Sequence, residues 1–114
     1  MLLIEISRGQ QTLQYVTFMD NTLVGPKLRA KMEILGDALF RLGFTWHDQG
    51  HFDKFDESGK LIAMVYPFNG GPTITVVLPT PDRGWLHNRR PYSTEVPRDL
   101  SFDDVKNWIS DEAA

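Results

Sequence analysis

The sequence predicts an α+β domain in which an antiparallel sheet carries one amphipathic helix on its face. Three observations support this. A leucine stripe at helical spacing runs through residues 26–42, and a series of short β-branched and aromatic runs divided by glycine turns follows it. The third is length: 114 residues without cysteine is enough for one domain to bury a core unaided by disulfides.

Taken in order, Leu2 to Ser7 alternates as a strand, with Leu2, Ile4 and Ile6 on one side. Arg8-Gly9-Gln10 punctuates it, and Thr12 to Met19 reads as a second strand with large apolar groups on both faces. The short link makes the two an expected hairpin. The helix from Pro26 to Leu42 is the best specified element. Proline suits its first position, Leu28, Met32, Leu35, Leu39 and Leu42 draw one continuous stripe, and Gly43 with Phe44 fits a Schellman ending. Phe40 lies off the stripe and is expected on the surface.

Strands are then expected at 44–47, 51–56, 60–66 and 73–78, separated by Asp48-Gln49-Gly50, Glu57-Ser58-Gly59 and the breaker cluster of residues 67–72. From Pro79 to Leu100 no period is visible, and four prolines argue against regular structure over most of it. Ser101 and Asp104 form a near capping box for a short final helix, with Leu100 and Val105 as its staple and Phe102, Val105, Trp108 and Ile109 as its apolar face. The expected order is β-β-α-β-β-β-β-α: a core at 1–78, an extended arm at 79–100 and a C-terminal helix at 101–114.

Composition bounds the function. With 15 acidic and 12 basic side chains the net charge is −3, so a global basic footprint for nucleic acid is absent. Without cysteine there is no thiolate nucleophile and no cysteine-bearing zinc site. The start lacks a basic leader, Glu5 interrupts its apolar run, and no stretch approaches the ~20 apolar residues a bilayer span needs; a soluble, cytoplasmic protein is expected.

Two constellations stand out. His47, His51 and Asp53 are the right donors for a divalent metal, although a turn rather than a helix sets their spacing. The arm carries Arg83, Trp85, His87, Arg89, Arg90 and Tyr92 without an acidic residue among them. Aromatic and arginine side chains dominate protein-interface hot spots, and they also stack bases and pair phosphates. Gly70-Gly71 precedes a proline and a strand, so it is a turn and not a phosphate loop. No nucleophile elbow or cofactor fingerprint is present.

The expected function is therefore a non-enzymatic interaction domain without a cofactor. Its arm is expected to dock on a protein partner or on a second copy. Nucleic acid at the same arm, and a metal at His47/His51/Asp53, are the alternatives. By fold-level analogy, small domains of this build serve as adaptors, inhibitors or assembly components, including those of phages and mobile elements.

Overall fold

A computed structural model describes the backbone of residues 2–82, 84–92 and 96–113, and the side chains of residues 9–82, 84–92 and 96–107. Two helices, α1 (Leu2–Asn21) and α2 (Pro26–Arg41), precede the strands β1 (Thr45–His47), β2 (His51–Phe55), β3 (Leu61–Tyr66), β4 (Thr73–Thr80) and β5 (Gly84–Pro91). A last helix, α3 (Phe102–Ala113), closes the chain. The class is α+β, with one antiparallel five-stranded sheet in sequential order β1-β2-β3-β4-β5.

The expected N-terminal hairpin is corrected: residues 2–21 form one helix. Thr12, Val16 and Thr17 favour strands locally, but Gln11, Tyr15, Phe18, Met19 and Thr22 recur at helical spacing and, with Val16, are the positions turned inward. Long-range packing selects that period. Tyr15 donates its hydroxyl proton to the carbonyl of Met32 in α2 at 2.6 Å, and its ring lies over Gly36. Asp20 and Glu33 both reach Arg29 at the exposed margin of the helix pair.

Gly36 is what lets the two helices approach so closely. A Cβ there would lie 2.2 Å from Cε2 of Tyr15. Glycine to alanine inside an exposed helix usually stabilises by about 1 kcal/mol. Here overpacking reverses the sign, and Gly36→Ala should cost about 1–3 kcal/mol in urea denaturation. Unchanged or increased stability would show that Tyr15 does not sit on α2 in this way.

Helix α2 follows its expected course. Gly25 precedes Pro26 in extended conformation, and Met32, Leu35 and Leu39 are buried. Gly43 has φ +89, Phe44 N–H donates to Leu39 O and Gly43 N–H donates to Phe40 O, both at 3.0 Å, completing the Schellman ending. Phe40 is a correction, being buried instead of exposed. The helix is covered on two sides, and Phe40 meets both Tyr15 of α1 and Phe52 of the sheet.

A third correction concerns the arm. Residues 84–91 are not irregular but form β5, paired with β4 in unbroken register from Thr80↔Gly84 to Thr73↔Pro91. The expected boundary at residue 78 falls inside β4. Prolines fit this ladder for a reason seen one step beyond it, where Tyr92 N–H donates to Pro72 O at 3.2 Å. Antiparallel ladders alternate bonded and non-bonded pairs. The bonded pairs are therefore the even-numbered positions of β5, and Pro79↔Trp85 and Thr73↔Pro91 are pairs in which no N–H is needed between β4 and β5.

Side-chain alternation gives the sheet two unlike faces. The row Trp46↔Phe52↔Val65↔Val76↔Asn88 is buried and, up to Val76, belongs to the main hydrophobic cluster with α1 and α2. Val105 of α3 and Leu100 before it enter the same cluster. Ser101 Oγ accepts from Asp104 N–H at 3.1 Å and Ser101 N–H donates to Asp104 at 2.9 Å, the expected capping box. Trp108 and Ile109, expected on the apolar face of α3, have side chains outside the described residues.

Candidate docking surface

The face of the sheet away from this core is built from the alternate residues of every strand. One row across it is Thr45↔Asp53↔Met64↔Val77↔His87. A second begins with His47↔His51; His51 meets the ring of Tyr66 at 5.0 Å, Tyr66 pairs with Thr75, and Thr75 pairs with Arg89. Trp85, opposite Pro79, adds a third position on β5. Val77 is fully buried without belonging to the main cluster, as befits a small residue flanked by Met64 and His87.

Two groups of residues separated by more than thirty positions in the sequence are thus parts of one surface. All three histidines of the chain, His47, His51 and His87, occupy it, together with Tyr66, Trp85 and Arg89. Asp53 is the single carboxylate among the described strand positions of this face. It is buried, and one of its oxygens lies 2.7 Å from Nδ1 of His51. A carboxylate oxygen accepts, so Nδ1 is the ring nitrogen that donates to it.

The rings of His47 and His51 stack face to face at 4.5 Å and 12°. His47 Nδ1 accepts from Gln49 N–H at 3.2 Å. Among the described residues no group of three or more histidine or carboxylate side chains is gathered to hold a metal ion. The arrangement is chemically a row of planar rings with one buried carboxylate fixing the orientation of one of them.

Strand β5 divides the expected arm residues. Trp85, His87 and Arg89 point outward on the open face, and all three are exposed. Arg90, on the helix side opposite Ile74, is half-buried. Tyr92 turns fully inward: it is buried in the core, donates its hydroxyl to Pro67 O at 2.5 Å and accepts Lys31 Nζ on its carbonyl at 2.9 Å. Tyr92 thus anchors the end of β5, a structural role its place in an aromatic–arginine run did not reveal. Arg83 lies outside the described residues.

The β3–β4 ladder ends at Val77, so residues 78–80 and 84–86 continue beyond it as a two-stranded ribbon. Gly84, at φ +74, supplies the left-handed residue that closes the turn. Trp85 is 39% exposed on one side of this ribbon and Leu86 is 43% exposed on the other. The sequence reading overlooked Leu86, which only the strand assignment brings into view. It also overlooked a cleft of about 550 Å³ beside α1, lined by Leu13, Thr17, Phe18 and Trp46 among others, which exists only because residues 2–21 are helical.

No family model matches the chain, and neither a curated protein nor a solved structure matches it significantly. No helix among the described residues is long and apolar enough to cross a membrane.

Proposed function

We propose that the chain is a non-enzymatic interaction domain that docks a protein partner on the open face and outer margin of β5. One observation carries the reading: Trp85, His87 and Arg89 project side by side from the last strand, exposed, on the face that the helices leave bare. Large rigid side chains of these types supply most of the energy of protein interfaces. A packed domain behind them holds the strand in place, which reduces the ordering cost of association.

Replacing Trp85 and Arg89 together by alanine tests this. Surface truncations away from the core change stability by about 0.5 kcal/mol or less each, so the melting temperature and far-UV spectrum should be nearly unchanged. Partner engagement should be lost. To read it, a photoreactive benzoylphenylalanine is placed at Trp85 in cells that express the chain natively, with a second at Glu57 on the remote β2–β3 turn. Protein adducts at position 85 and none at 57 support the proposal. Equal labelling at both positions, or an unfolded double variant, overturns it.

The scarcity of carboxylates on the open face favours a second reading, single-stranded nucleic acid stacked along the rings. That binding would weaken steeply with salt, because it releases counterions from phosphates. Oligonucleotide adducts at position 85 would replace the protein reading with this one.

A further inference from the structure

The two edges of the sheet are treated very differently. Edge strand β1 has three residues, and its Trp46 N–H donates to the side chain of Gln11 in α1 at 3.0 Å. Edge strand β5 has eight residues. Since its even positions bond to β4, the N–H and C=O groups of Trp85, His87 and Arg89 point away from the sheet. The residues that offer exposed side chains on the open face are therefore the ones that offer backbone groups along the edge. Pro91, next in the same series, has no N–H and ends the run of donors.

We propose that β5 pairs edge-to-edge with β5 of a second copy of this chain, antiparallel about a two-fold axis at His87, so that one sheet runs through both copies. This rests on the docking reading above and names its partner. Register supplies the argument for self-pairing. With the axis at His87, Trp85 lies opposite the partner's Arg89, His87 opposite the partner's His87, and Arg89 opposite the partner's Trp85. Every outward-pointing residue then meets another one, and both exchange N–H and C=O groups.

Neighbouring registers lose this match of side chains. With the axis moved to Asn88, Trp85 faces Pro91, which accepts but cannot donate, and the indole no longer meets a guanidinium. With the axis at Leu86, Arg89 runs past Gly84 into the hairpin turn. The favoured register also sets each exposed guanidinium beside an exposed indole on the same face, a cation–π contact made twice by symmetry. Directly opposed residues on neighbouring strands are the natural unit of sheet stabilisation. An edge of this length whose outward N–H and C=O groups meet no backbone partner among the described residues invites pairing with other chains.

The absence of cysteine makes the test direct. Bonded antiparallel pairs have Cα atoms about 5.5 Å apart, within the span of a disulfide. Under mild oxidation, His87→Cys should become a covalent dimer, whereas Thr45→Cys at the far edge should stay monomeric. Trp85→Cys and Arg89→Cys should each fail to self-link but should link to each other when mixed. The unsubstituted chain should sediment as a concentration-dependent dimer.

Self-pairing is overturned if His87→Cys links no faster than Thr45→Cys, or if the unsubstituted chain remains monomeric up to millimolar concentration. Adducts from position 85 to a different protein, with His87→Cys monomeric, would remove self-pairing and leave the docking reading standing. Absence of protein adducts and of dimer together would remove both.

Discussion

Phe52→Ala should destabilise the protein by about 3–5 kcal/mol, the range for removing a large aromatic side chain from a tight core. Phe52 has no exposed surface and packs edge-on against three other rings: Tyr15 at 4.8 Å, Trp46 at 4.9 Å and Phe40 at 5.2 Å. Those partners come from α1, β1 and α2, so this one side chain joins both long helices to the sheet. Truncation removes transfer free energy and leaves a cavity that four elements cannot close together. Against a total of about 5–15 kcal/mol for a domain, such a loss brings the protein near its threshold. Urea denaturation measures it. Phe55, three residues on and 47% exposed, is the internal comparison: Phe55→Ala should cost well under half as much. Equal costs would show that the ring cluster is not the centre of the fold.

Alkali should unfold the protein steeply. Burial pushes the phenol of Tyr15 well above its usual range, with the negative fields of Tyr92 and Asp37 adding to the effect, and burial raises Tyr92 in the same direction. Each hydroxyl also donates to a backbone carbonyl, of Met32 and Pro67 respectively, a bond that a phenolate cannot make. Both groups hold their protons more tightly in the folded chain than in the unfolded one. Their contribution is complete below the unfolded-chain value near pH 10 and drains away as the pH rises above it. Two such groups give a slope of up to about 2.7 kcal/mol per pH unit in that window. Denaturation curves recorded between about pH 9 and pH 11.5 would show it. Tyr92→Phe should reduce the slope by about half, at a cost near 1 kcal/mol at neutral pH for the lost hydrogen bond. Stability that stays level through that range would mean the two hydroxyls reach solvent.

Much of this architecture was readable from local chemistry. Pro26 and Gly43 bracket α2, and Ser101 with Asp104 starts α3, because caps act over three or four residues and need nothing from elsewhere. The glycine turns at positions 50 and 59 separate β1, β2 and β3 where expected, with φ of +106 and +87. The candidate site was only half legible. Composition singles out Trp85, His87 and Arg89, and all three are exposed, but their neighbour Tyr92 belongs to the core and Phe40 lies inside the helix layer. Composition identifies side chains suited to interfaces, whereas strand parity decides which way they point.

Short-range signals that agree with one another specify the class, the second helix, the capped third helix and the succession of strands from residue 45 to 78. Tertiary structure alone decided two matters. Residues 2–21 satisfy both a two-residue and a helical period, and the seat of Tyr15 on Gly36 selects the helix. Residues 84–91 look unfit for a strand, yet Pro91, and Pro79 in the β4 strand beside them, occupy positions where the β4–β5 ladder requires no donor. Both outcomes depend on partners distant in the chain. For the same reason, only the folded sheet could bring the histidines of the first hairpin and the aromatic–arginine strand onto one face.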